Sequence, residues 1–192
     1  EKFMGENFLI IIDPIDGTRN FVEGRREFCV AACLTKRVTD GIWPVVSVIA
    51  VPLDGVMYWC DDNKVYREDI VTGEIHEVQR GTPPQDMVSV SSKDRWWLAK
   101  NNYSLRCPWI SSGSSVYDFL GSAIGRLSGS ILGSQRLWDL VSPLAIAERL
   151  GLILRDLQTG EEIGTLTSND LSPQFERRPW GLARRMVLAP KG

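Results

Sequence analysis

The apolar run Phe8–Ile12 (Phe-Leu-Ile-Ile-Ile) passes without alternation into Asp13-Pro14-Ile15-Asp16-Gly17-Thr18. A continuous β-branched run of this length reads as a strand covered on both faces, ending where Pro14 stiffens the chain. Such a strand needs a core around it. With 192 residues, 43% of them hydrophobic, and seven Trp, the chain can build one, so disordered, collagen-like and disulfide-scaffold classes are excluded. A formal net charge of −2 argues against a nucleic-acid polymer or an anionic membrane surface as partner, because both select a basic excess. No apolar run approaches the ~20 residues of a membrane span, and no signal peptide is visible. The four cysteines, Cys29, Cys33, Cys60 and Cys107, lack Cys-x-x-Cys spacing and read as free, largely buried thiols in a reducing cytosol. A cytoplasmic protein is the expectation. The chain starts without Met and enters a strand within a few residues, which leads us to expect that N-terminal elements are missing.

Residues 28–35, 43–51, 55–60, 64–67 and 74–78 read as further strands, separated by turn signals such as Thr39-Asp40-Gly41 and Leu53-Asp54-Gly55. That is the pattern of an antiparallel meander. Around Gly81-Thr82-Pro83-Pro84 the pattern changes. Strands at 87–90, 109–111 and 129–132 then alternate with helices at 95–100, 115–127 and 140–150, which favours a layered α/β arrangement. The expected division is a strand-rich part, 1–82, and a C-terminal α/β part, 83–192. For the last helix, Asp139 sits where an N-cap belongs, Pro143 in the first turn and Gly151 at the stop.

The chemistry concentrates at Asp13 and Asp16, two carboxylates three residues apart at the C-terminal end of a strand, where open α/β sheets collect ligands. Two anions so close repel, and a hard divalent cation such as Mg2+, which takes carboxylate, carbonyl and water oxygens, relieves the repulsion. Pro14 stiffens the turn so that both acids and the Ile15 carbonyl can face one point. Gly17 permits close backbone approach, the amides after it can accept a phosphate at the start of a short helix, and the Thr18 hydroxyl can orient a water. The same residues also suit a strand followed by an Asx-rich turn. A haloacid-dehalogenase-type Asp-x-Asp-Gly-Thr signature fits less well: here two residues separate the acids, and Asp61-Asp62 reads as a hairpin turn.

Asp13-Pro14-Ile15-Asp16-Gly17-Thr18-x-Asn20-Phe21 resembles the first signature of the inositol monophosphatase family, and Trp138-Asp139, an apolar helix and Gly151 resemble the second. Ser112-Gly113-Ser114-Ser115 is similar to the family's small-residue turn. The resemblance implies a layered αβαβα sugar-phosphatase fold lacking its N-terminal elements, and Mg2+-dependent, lithium-sensitive hydrolysis of a small phosphate monoester. By the family pattern Asp13, Asp16 and Asp139 hold one metal, and Asp13 and the Ile15 carbonyl help to hold another. Gly17 and Thr18 amides bind phosphate, Thr18 aligns the nucleophile, and Gly113, Ser114 and Ser115 face the substrate.

Family members also carry a Gly-Glu-Glu or similar motif well upstream of the first signature, with one Glu bridging metals. Glu6 is no substitute, since a strand of seven residues places it roughly 20 Å from Asp13 at about 3.3 Å per residue. The lack of upstream acids keeps a non-catalytic homologue, acting in binding or assembly, as the alternative. Substrate clues conflict. Residues 130–137 contain no acid to contact inositol hydroxyls, and Arg136 there suits either an exposed loop or a second phosphate, whereas Asn20-Phe21 points to the inositol-phosphatase branch. His76, Arg25-Arg26, Arg177-Arg178 and Arg184-Arg185 read as surface or interface charges. Trp96-Trp97 read as covering core or a dimer contact, which leaves a homodimer open.

Overall fold

A computed structural model describes residues 7–171 and 180–191. Glu6 and Arg177-Arg178 lie outside the described residues. The first half is the meander the sequence predicts: β1 (Phe8–Asp16), β2 (Cys29–Val38), β3 (Gly41–Val51), β4 (Val56–Cys60), β5 (Val65–Asp69) and β6 (Ile75–Glu77). They pair antiparallel in chain order. A short helix, α1 (Thr18–Val22), stands between β1 and β2.

The second half supplies β7 (Val88–Val90), α2 (Ser92–Lys100), β8 (Trp109–Ile110), α3 (Ser115–Ala123), β9 (Gly129–Leu132), α4 (Leu137–Arg149), β10 (Leu152–Asp156), β11 (Leu166–Thr167) and β12 (Met186–Pro190). Four of these strands form a second sheet together with β9, in the order β10-β12-β9-β7-β8. β11 crosses back to pair with β3 of the first sheet.

α3 and α4 fill the space between the two sheets. The inner face of the first sheet offers small residues, Cys29, Ala31 and Cys33, and α4 answers with Val141, Leu144 and Ala145 in one continuous core. The cysteines are free, three buried and Cys107 half-buried, and they act as small apolar fillers. Burial holds the thiols of Cys29 and Cys33 well above the ordinary range. On the far side of the second sheet, Leu98 of α2 packs on Val90 and Ile131. The described layers are therefore sheet, helices, sheet, helix, the α/β architecture expected. Among the described residues, no helix is long and apolar enough to cross a membrane.

Several expectations need correction. Among the described residues, β1 is the outermost strand of its sheet, bonded to β2 alone, and its outer face is open at Ile12. Pairing of Ile12 with Ala32, and of Ala32 with Val48, puts Ile12 on the outer face, where it is 57% exposed. Nor does β1 end at Pro14. It continues to Asp16 through an irregularity between Asp13 and Asp16. The helix at 115 stops at Ala123 instead of Leu127, because Gly125 turns left-handed (φ 85) and a Cβ there would lie 2.0 Å from the Gly81 carbonyl. α4 starts three residues earlier than expected, which moves Pro143 from the first turn into the helix body. Position 143 then has no N–H to give the Asp139 carbonyl.

Arg184 and Arg185 are half-buried and partnered, not simply solvated. Arg184 bonds to Asp170, which is buried, and reaches Asp156 at 3.3 Å, while Arg185 stacks on Trp97 with its guanidinium 4.0 Å from the ring centroid. His76, Arg25 and Arg26 are exposed as expected, the arginines paired with Glu23 and Asp54. Trp96 is 65% exposed.

Near its C-terminus α4 carries a half-buried acid, Glu148. Arg149 donates to the Asp61, Val45 and Ala145 carbonyls at 2.6, 2.6 and 2.9 Å, so most of its hydrogen-bonding capacity goes to backbone. The adjacent Glu148 has one carboxylate oxygen without a hydrogen-bond partner. Burial raises its pKa to about 7, against the opposing charge of Arg149. A carboxyl raised on folding favours the folded state while protonated, so its contribution is complete below the ordinary value of 4.5 and is lost by about pH 7. Stability should fall across that window by at most about 1.4 kcal/mol per pH unit for one group. Glu148→Gln should remove this part of the slope, measured by urea unfolding at a series of pH values.

Candidate metal centre

The β1 terminus is shaped by backbone constraints before any side chain is considered. Gly17 adopts a left-handed conformation (φ 78, ψ 38) and starts α1. A Cβ there would lie 2.8 Å from the Glu27 carbonyl and 2.9 Å from the Ser114 Cβ, so both the conformation and the space require glycine. Thr18 turns back to donate its hydroxyl to the Ile15 carbonyl at 3.0 Å. Asn20 is buried and donates to the Glu27 and Ser112 carbonyls at 2.6 and 2.9 Å. One side chain thereby ties α1, the following loop and the 112–115 turn together.

This folding brings three acids to one place. Carboxylate oxygens of Asp13, Asp16 and Asp139 lie within 4.8 Å of one another. Asp13 comes from β1, Asp16 from the end of the same strand, and Asp139 from the first turn of α4. Asp139 is not the N-cap. Arg136 occupies that position, and the Asp139 carboxylate accepts from the Arg136 amide at 2.9 Å.

The electrostatics follow from crowding in a partly dry site. Burial raises the pKa of Asp13, against hydrogen bonds from Asp139 and the Ile15 amide. Burial likewise raises Asp139, to about 7, with the charges of Asp16 and Asp13 adding to the shift. Asp16 is raised by burial too, although Ser114 and the Val116 and Ser115 amides stabilise its charge. Three carboxylates that share space and resist joint ionisation form a site that a cation would complete. The donor set, hard anionic oxygens with a backbone carbonyl nearby, suits Mg2+, Mn2+ or Ca2+ better than a soft metal.

The remaining expected residues fall into two groups. Gly17, Thr18, Ser114 and Ser115 sit at the acids: Ser114 donates its hydroxyl to Asp16, and the Val116 amide donates to the same oxygen at 2.8 Å. Gly113 lies against Asn20. Arg136 neighbours the centre through its backbone, but its guanidinium lies over the Trp138 ring, 5.1 Å from the centroid. Sequence reasoning missed Val116 and Asp118. Asp118 accepts from the Ser112 amide at 3.1 Å, and burial raises its pKa to about 6. Its signal was an acid in an otherwise apolar helix, SVYDFLGSA. Beside it, Ser89, Ser91, Ser111, Asp118 and Gln135 line a cavity of about 120 Å³.

The three acids thus form a candidate cation site on a two-sheet α/β frame. A profile of the inositol monophosphatase family matches residues 2–187, and the chain belongs to that family. It is 26% identical over 165 residues to the 3'(2'),5'-bisphosphate nucleotidase CysQ of Escherichia coli strain K12, covering 86% of this chain and 65% of that protein. A 3'-phosphoadenosine 5'-phosphate phosphatase of Mycobacterium leprae is 28% identical over 150 residues, covering 74% of this chain and 52% of its own. The fold is similar to that of a Thermotoga maritima IMPase, with TM-score 0.66 at 18% identity over 98% of this chain and 66% of the other. The chain thus spans 65% of the length of the CysQ relatives.

If Gly17 is required as argued, Gly17→Ala should destabilise the chain by about 2 kcal/mol through strain and overlap. For a domain of this size that corresponds to a fall of roughly 4–8 °C in Tm, read from a thermal melt.

Proposed function

We propose that this chain carries the catalytic centre of a Mg2+-dependent phosphomonoesterase acting on a small phosphorylated metabolite. The observation behind this reading is the convergence of Asp13, Asp16 and Asp139 within 4.8 Å; an Asx turn at Asp13 and Ile15 does not account for Asp139, which comes from α4. Those three acids and the Ile15 carbonyl would hold the metal. Bound there, Mg2+ would supply Lewis-acid stabilisation of the departing oxygen and a more acidic water.

The chain's own groups have separate tasks. The left-handed Gly17 turns its own amide and that of Thr18 into a concave pair of donors suited to phosphate oxygens. Thr18 holds its hydroxyl at the Ile15 carbonyl, from where it can accept a hydrogen bond from the attacking water and orient it. Gly113 leaves the approach to Asn20 and Ser112 free of a side chain. Ser115, at the first position of α3, offers polar contacts toward the substrate, as does the serine-lined cavity next to it.

The substrate reading shifts toward a phosphorylated nucleotide. Asn20 pointed to the inositol branch, but it is a buried tie between loops, and so it says nothing about substrate. The relatives CysQ and the Mycobacterium leprae protein are named for bisphosphorylated adenosines or nucleotides. Arg136, at the rim of the centre on Trp138, is the side chain proposed for a second phosphate.

The test is phosphate release from 3'-phosphoadenosine 5'-phosphate and from inositol monophosphate, with and without Mg2+ and lithium. Release should require Mg2+ and favour the nucleotide. Asp16→Asn or Asp139→Asn should reduce it at least about 100-fold, beyond the 10–100-fold typical of losing an outer partner of a metal ligand. Release that survives both substitutions, or ignores Mg2+, would sink the assignment. Metal binding without turnover would favour the non-catalytic homologue.

A further inference from the structure

One oxygen of Asp16 is taken up by donors of the protein. Its Oδ2 accepts the Ser114 hydroxyl and the Val116 amide, the latter at 2.8 Å, and the Ser115 amide adds to the stabilisation of the carboxylate. These donors belong to the first turn of α3, 98–100 residues along the chain from Asp16. Ser114 is 1% exposed. Its hydroxyl also accepts from the Tyr117 amide at 3.2 Å as the N-cap of α3, so its single proton is free to go to Asp16. The main chain of Ser114 is fixed in turn by Ser112, whose hydroxyl donates to the Ser114 carbonyl at 3.1 Å and accepts from the Ser114 amide at 3.2 Å.

We infer that Ser114 is a positioning residue for the metal centre: with the Val116 amide it pins Oδ2 of Asp16 and leaves Oδ1 as the one oxygen offered to the cation. This deepens the function proposed above and rests on it, and it gives Ser114 a role other than the substrate contact suggested by the family resemblance. A short carboxylate on a flexible χ1 can present either oxygen, or both, to a metal. Pinning one of them fixes the rotamer before the cation arrives, so that no ordering cost falls on binding. Hydroxyl and amide both act on the same oxygen.

The test is Mn2+ binding to this chain, followed by the electron paramagnetic resonance signal of free Mn2+, in the parent protein, Ser114→Ala and Ser114→Thr. Ser114→Ala should weaken binding roughly 10-fold or more, in the range seen when a partner of a metal ligand is removed. Ser114→Thr, which keeps the hydroxyl, should recover affinity to within about threefold of the parent. Should Ser114→Ala fail to fold, Ser114→Cys, a weaker donor of similar shape, takes its place and should also weaken binding. In phosphate release, the Mn2+ concentration for half-maximal activity should rise with the binding defect while KM for substrate at saturating metal stays within about twofold. A merely structural cap would lower Tm without moving metal affinity. Unchanged Mn2+ binding in Ser114→Ala, or a raised KM with unchanged metal dependence, would overturn the positioning role alone. No Mn2+ binding by the parent chain would overturn the metal reading and this inference with it.

Discussion

Mutual repulsion among Asp13, Asp16 and Asp139 is the constraint that organises the structure. At an effective dielectric of 20, two full charges about 4.8 Å apart repel by about 3 kcal/mol. Three such pairs would consume most of the 5–15 kcal/mol by which a domain is stable. The cluster persists because its charge is divided unequally. Burial and the charges of Asp16 and Asp13 raise Asp139 to about 7, and burial raises Asp13 too, so full ionisation of the pair is disfavoured. Asp16, which receives hydrogen bonds from α3, is better placed to keep its charge.

Helix placement does much of this work. α3 and α4 form the layer between the two sheets, and both begin at the acids. The first-turn amides of α3 meet Asp16, and Asp139 itself lies in the first turn of α4, bonded to the Arg136 amide. Each helix thus directs its electropositive end at the cluster. The opposite packing, with helix C-termini at this edge, would add negative potential to three anions. The polarity of the middle layer and the location of the site are therefore one fact of the topology.

What could be read from the sequence follows from how local each feature is. The pairing of Asp13 with Asp16 is local, set by spacing, Pro14 and Gly17, and it was visible. The meander was visible too, because the turns before and after β3 carry Asp-Gly signals. Asp139 was reachable only through resemblance, since nothing in its own surroundings points to residue 13. Ser114 donating to Asp16 and Asn20 tying three segments were hidden for the same reason: single polar residues do not announce remote partners. β10, β11 and β12 went unread because they follow the last helical pattern as brief segments of two to five residues. β1 misled because an apolar run signals apolar surroundings without saying whether an outer neighbour is present. Its Ile12 is exposed although its composition reads as buried.

The same chain treats other buried acids quite differently. Asp156 and Asp170 share Arg184, and Asp94 faces Arg185 at 3.7 Å. In each case a permanent cation is built into the sequence beside the acid. Among the described residues, no lysine or arginine makes such a bridge to Asp13, Asp16 or Asp139, and the adjacent guanidinium of Arg136 lies on Trp138 instead. A fold that can place arginines against buried carboxylates has left its densest acidic cluster without one. A covalently tethered cation would stabilise the cluster but block it, because it could neither exchange nor leave oxygens free for water and phosphate. The lack of a tethered cation fits the counter-charge from solution proposed above, and it separates this centre physically from the structural ion pairs around it.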